Sequence, residues 1–432
     1  MEQHCLAELM KDQNTEEQEE IIRFTRWGKG NAVIEAKAGS GKTSTIIRCY
    51  SQGVGRDCKS IFIAFNKAIV QELMQRGMPS CTAHSVGWRA WKDAYTDYSW
   101  EGGELQQGSS DEEEVQKPKP LMKGKTHHLL VRLYPSLERK GKTSLTKKMS
   151  RFVKKLVSLA KNYGVGLPDC TQDTDETWEW LVQHNSLQRY LQEWQKDHIK
   201  EEVNLGIAYA KEVLDHSVKS ASRSPSEGGM IDFDDMMYMP LLLDVRFPKY
   251  DWIFVDEAQD LNMVRMLLVS KLSKATTRVI AVGDPCQAIY GFTGAAHDSL
   301  NSFTAKFSAR QFTLTITWRC PRSHVDLANK LLQHFGRDEL PMNAAPTAEL
   351  GRIAGRWWRW WPAVDSREVT FANFPLRGSH DVAILCRTNA PLVMLHYKLL
   401  ARGIPSHLKG GKEVVKELLD VIDHALGDVE VT

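Results

Sequence analysis

No apolar run in the 432 residues approaches 18, so no segment reads as a membrane span. Eight cysteines, at 5, 49, 58, 81, 170, 286, 320 and 386, include no Cys-x-x-Cys pair. That scatter argues against a zinc module or a disulfide framework and for a reducing compartment: cytoplasmic or nucleoid-associated, or nuclear in a eukaryote. No basic-then-apolar signal opens the chain. Net charge is also lacking. With 56 Lys and Arg against 54 Asp and Glu, the formal balance is +2, and any nucleic-acid surface is expected as a local patch. What remains is an ordinary soluble composition, 42% hydrophobic and 25% charged, long enough for roughly two to four domains. Thirteen tryptophans are many, and indoles serve either core packing or stacking.

The most informative stretch is Val33-Ile34-Glu35-Ala36-Lys37-Ala38-Gly39-Ser40-Gly41-Lys42-Thr43. A short apolar strand enters a small-residue loop and then a helix, the setting of a phosphate-binding P-loop. Gly39 and Gly41 let the backbone N–H groups turn inward, beside Ala38 and Ser40, and the helix adds its N-terminal dipole. Lys42 is expected on the β- and γ-phosphates of ATP and the Thr43 hydroxyl on Mg²⁺. The strict motif has Gly where this chain has Ala36, which fits if that position needs no positive φ. Gly141-Lys142-Thr143 repeats the motif's tail, but with no strand before it and Arg139 and Lys140 in the loop it reads as a basic loop.

Upstream, Thr15 precedes an acidic first turn and the apolar Ile21, Ile22 and Phe24, and reads as a helix cap. Gln18 in that helix either reads an adenine edge or is an ordinary exposed glutamine; alone, it favours the second. A strand over 60–64 runs into Phe65, Asn66 and Lys67, where a ring stacks a base and the polar pair holds phosphate, or where Phe65 caps the core. His84 in Thr82-Ala83-His84-Ser85 is, by itself, more often structural. Residues 96–125 read as a linker, and 145–163 as an amphipathic helix whose basic face (Lys147, Lys148, Arg151, Lys154, Lys155, Lys161) meets nucleic acid or simply solvent.

The core pattern resumes at Ile231-Asp232-Phe233-Asp234-Asp235, which leads a helix. Trp252-Ile253-Phe254-Val255 is a buried strand ending in Asp256 and Glu257. Asp256 is expected to hold Mg²⁺ through water, and Glu257 to take a proton from the attacking water. The strand over 278–284 leads to Gln287, placed to sense a γ-phosphate, and to Tyr290 and Phe292, which stack bases or pack inward.

Assembled, these motifs resemble the UvrD-like superfamily 1 DNA helicases (UvrD, Rep and PcrA type) from about Thr15 to Leu426. The resemblance makes Gln18 the adenine reader and accounts for Ala36. It places Phe65, Asn66, Lys67, His84, Tyr290, Phe292, Arg387 and Asn389 on DNA. Val255-Asp256-Glu257-Ala258-Gln259-Asp260 becomes the Walker B motif. Trp318-Arg319 becomes the pair that stacks on adenine and reaches the γ-phosphate. Thr293 stands where the family commonly has arginine. Two further family motifs, the last carrying a second γ-phosphate arginine, are not found before Thr432, so the chain is expected to be a fragment or split product, or to depend on a second polypeptide. Arg356-Trp357-Trp358-Arg359-Trp360-Trp361 matches no family motif; core or interface packing is favoured over single-stranded nucleic acid.

The expected fold is α/β, a P-loop NTPase with tandem RecA-like cores: core 1 over 1–95 and 230–305, a helical insertion over 96–229, and a partial core 2 over 306–432. The expected function is ATP-driven 3′→5′ movement on single-stranded and forked DNA with unwinding. The rival is a subunit that binds ATP and DNA but needs a partner for catalysis.

Overall fold

The computed structural model describes residues 14–55, 57–64, 67–95, 121–135, 144–191, 199–223, 229–288, 299–335, 340–351, 353, 383–386 and 389–408. The chain divides into two compact units, Met1–Ile353 and Ala354–Thr432. In the first, α1 (Glu16–Trp27) begins with a reciprocal cap: the Gln18 N–H donates to the Thr15 hydroxyl, and the Thr15 N–H donates to the Gln18 amide oxygen. There follow β1 (Ala32–Ala36), α2 (Lys42–Gly53), β2 (Ser60–Ala64), α3 (Lys67–Gln75), β3 (Ser80–Thr82) and α4 (Ala83–Tyr95). A helical stretch comes next: α5 (Lys125–Leu133), α6 (Ser144–Tyr163), α7 (Asp175–His184), α8 (Ile199–Ala221) and α9 (Asp235–Leu242). The chain then alternates again through β4 (Tyr250–Val255), α10 (Met263–Leu272), β5 (Ser273–Gly283), α11 (Ser299–Phe307), β6 (Arg310–Leu314), β7 (Ile316–Thr317), α12 (Arg322–His334) and β8 (Asn343–Ala344). In the second unit α13 spans Asn389–Leu400.

Strands β1 to β6 form one sheet in the order β3-β2-β4-β5-β1-β6, every neighbouring pair parallel. Parallel neighbours require crossovers, and these helices supply them and cover both faces. Because side chains alternate along a strand, each strand feeds two cores. Ile34, Phe62, Phe254, Ile280 and Val282 meet Ile21 and Ile46 on one face. Val33, Ile61, Ile63, Ile253 and Val255 meet the other helices on the opposite face. The expected boundary at 305 falls before β6, which pairs with β1 from Ala32↔Arg310 to Ala36↔Leu314. A short parallel pair, β7 with β8, follows. Among the described residues no helix is long and apolar enough to cross a membrane.

The helices expected as an insertion are present, and they share their core with the sheet. Phe152, Leu156, Trp178 and Val213 belong to the same continuous cluster as Ile61 and Val255. The basic face expected on α6 is smaller than the sequence suggests. Lys161 is 1% exposed and forms ion pairs with Asp232 (2.9 Å) and Asp235 (2.7 Å). Lys125 meets the other oxygen of Asp235 at 2.7 Å. Burial alone would depress the Lys161 ammonium; Asp235 and Asp232 outweigh it, and its pKa lies above the ordinary lysine value.

Candidate nucleotide site

The carboxyl ends of β1, β4 and β5 lie side by side, where a parallel sheet gathers its ligand groups. Ala36 ends β1 without positive φ, while Gly39 (φ 76°) and Gly41 (φ 86°) take the left-handed turn. Gly41 caps α2 with no side chain on its first N–H groups, an uncapped helix start of the kind that can receive an anion. The Ser40 hydroxyl is buried without a protein partner in the same loop. Gln18 is buried, not exposed, and its amide donates to the Thr45 hydroxyl at 3.0 Å, against the start of α2.

Across from the loop, Lys42 Nζ lies 3.2 Å from Glu257 Oε2, and the Thr43 hydroxyl donates to Asp256 Oδ2 at 3.1 Å. Burial and the neighbouring Glu257 push the Asp256 carboxyl up to about 6. Such a group ionises readily only beside positive charge, which suits a cation ligand. Glu257 holds φ 52°, a left-handed conformation uncommon for a non-glycine residue and costly to maintain. Gln259 and Asp260 complete a 3₁₀ turn after it. From β5, the Gln287 amide donates to Asp284 Oδ2 at 2.7 Å.

The segment after β6 rests on the P-loop. The Trp318 N–H donates to the Gly39 carbonyl at 2.9 Å. A Cβ on Gly39 would stand 2.5 Å from Arg319 Cβ and 2.7 Å from the Thr317 hydroxyl, so this approach requires glycine. Arg319 itself is exposed and Trp318 half-buried.

Of the residues expected on DNA, Lys67 is exposed at the start of α3 and Asn389 heads α13. Phe65, Asn66, Tyr290, Phe292 and Arg387 lie outside the described residues, as does the Arg356–Trp361 cluster. The His84 ring stacks on Phe233, with centroids 3.8 Å apart, and burial followed by the nearby Arg265 pushes its pKa down to about 3. His84 is therefore neutral, and the outer ring of the stack is Phe233, 60% exposed. A cavity of about 20 Å³, room for one water, lies between His84, Glu257, Asp260 and Arg265. In the sequence Gln259 and Asp260 stand only as members of the Walker B motif, with no individual role, and Phe233 only as part of the run that leads a helix; the signal available is their adjacency to Asp256-Glu257 and to the acids at 232, 234 and 235.

Residues 14–308 match the UvrD/REP helicase N-terminal domain. The ATP-dependent DNA helicase PcrA of Staphylococcus epidermidis (strain ATCC 35984) is 27% identical over 222 residues, 48% of this chain and 30% of the relative. PcrA of Staphylococcus aureus (strain Mu50) is 27% identical over 255 residues, 52% of this chain and 34% of the relative. The chain thus spans about a third of the length of these relatives. With the family domain covering more than half of its residues, and with the P-loop facing the two acids that end β4, the chain belongs to the UvrD/REP helicase family.

Proposed function

We propose that the chain hydrolyses ATP to drive 3′→5′ movement on single-stranded DNA and unwinding at forks. The observation that carries this reading is the meeting of the two motifs, Lys42 with Glu257 and Thr43 with Asp256, across the mouth of the sheet. The uncapped start of α2, the orphaned Ser40 hydroxyl and the buried Asp256 fit a magnesium-bound triphosphate. Thr43 and Asp256 would hold Mg²⁺, which when bound offsets phosphate charge.

In this reading the N–H groups at Gly39, Ser40 and Gly41, with Lys42, grip the phosphates. Gln18 lies on the base side and Trp318 offers a stacking face. Glu257 accepts the proton of the attacking water, and Arg319 and Gln287 approach the terminal phosphate. DNA is read by Phe65, Asn66, Lys67, His84, Tyr290, Phe292, Arg387 and Asn389, as the family resemblance implies, with Phe233 added by its exposed stack on His84.

The test is ATP hydrolysis by the 432-residue chain with and without single-stranded DNA, with Lys42→Ala as the blank. DNA-stimulated turnover is expected. Glu257→Gln should retain ATP binding and lose about 10²–10⁴ in kcat, the usual worth of a general base; unchanged turnover removes Glu257 from that role.

A further inference from the structure

Gln259 lies two residues after Glu257, 3% exposed, with both ends of its amide in use. Its Nε2 donates to Glu257 Oε2 at 2.8 Å, and its Oε1 accepts the Asp284 N–H at 2.9 Å. A backbone N–H only donates and a carboxylate only accepts, so chemistry alone fixes which way this amide faces. Gly283 makes the approach possible: a Cβ there would stand 2.7 Å from Gln259 Oε1 and 2.8 Å from its backbone nitrogen. Asp284 in turn accepts from the Gln287 amide and, at 3.1 Å, from the Cys286 N–H. One side chain therefore joins the carboxylate of Glu257 to the segment 284–287.

We infer that Gln259 is a positioning residue that holds Glu257 in its working orientation and ties it to the 284–287 segment. This rests on Glu257 being the base. Both contacts to that carboxylate, Lys42 and Gln259, fall on Oε2, and among the described residues Oε1 has no protein partner. Oε1 is then the atom left to take a proton from water. When Lys42 turns to a phosphate, Gln259 alone keeps Oε2 in place. The left-handed backbone at Glu257 makes such a restraint necessary, because an unrestrained side chain on a strained turn has other orientations to relax into. Movement of 284–287 on nucleotide binding reaches the base through the same amide.

Two variants of the full chain test this. Gln259→Met removes both hydrogen bonds at nearly constant shape; Gln259→Glu keeps an acceptor for the Asp284 N–H but sets a carboxylate against Glu257. Each is measured for KM and kcat, and by hydrogen exchange of residues 284–288 with and without a non-hydrolysable ATP analogue and Mg²⁺. KM for ATP is expected to stay within about threefold, while kcat falls roughly 10- to 100-fold, the scale of a misplaced catalytic group. Nucleotide-induced protection at 284–288 is expected in the wild type and should disappear in Gln259→Met. Turnover within about twofold of wild type in both variants overturns the inference, as does protection that survives in Gln259→Met. If Gln259→Met does not bind the analogue, Gln259→Glu decides by the same criteria. If the wild type itself does not turn over, the proposed ATP hydrolysis by this chain alone fails separately, and the exchange measurement alone judges the tie.

Discussion

Asp260 is 3% exposed, and one of its oxygens has no partner. Burial and the charge of Glu257 push its carboxyl from the ordinary 3.8 up to about 6. The folded chain therefore holds this proton more tightly than the unfolded chain does, and ionising Asp260 costs stability. That cost is absent below about pH 4, grows as pH rises towards 6, and is constant above. Asp260→Asn should stabilise the chain at pH 7 by roughly 1–3 kcal/mol and change little at pH 3.5, a contrast readable from urea melts at the two values. His84 shows the same physics with a different outcome. The residue that the family resemblance sets on DNA is held neutral by burial, so any meeting with DNA runs through stacking or a neutral hydrogen bond.

At the scale of elements, the sheet and the P-loop were legible because their signals are local. The Thr15 cap, the apolar strands over 33–36, 60–64 and 252–255, and the acids at 256 and 257 all declare themselves within a few residues. The buried charges of α6 and α9 were not legible. Lysines at helical spacing read as a wet face, and the acids that bury Lys161 lie 71 and more residues away. Removing one partner leaves the others charged in a closed core, so Lys161→Ala should cost about 3–5 kcal/mol in denaturant unfolding. Lys154→Ala, at a half-exposed position on the same helix, should stay within about 0.5 kcal/mol. The polar chain extends further: the Asn262 amide, at the start of α10, donates to the Asn162 side chain at 2.7 Å. The helical stretch is thereby fastened to the helix that follows the two acids.

At the scale of the molecule, the boundary between insertion and core is a boundary in sequence more than in packing. The helices α5 to α8 and one face of the sheet bury their side chains together. Elements that bury their side chains in one shared core open together. Native-state hydrogen exchange should give segments 152–160 of α6 and 253–255 of β4 the same opening free energy and the same denaturant dependence. A separately melting insertion would show a lower value for α6. This sharing was illegible in sequence because the apolar face of an amphipathic helix does not say what it will meet.

The seam between β6 and the P-loop has a consequence for anything that binds there. From Leu314, locked in register against Ala36, to Trp318 is four residues, at most about 14 Å of chain. Arg319 is thus leashed beside the phosphate loop. A group on so short a tether has an effective concentration of at least about millimolar at its target, whatever the rest of the chain is doing. Under the proposed role of Arg319, its encounter with a nucleotide would be intramolecular, with a rate independent of protein concentration.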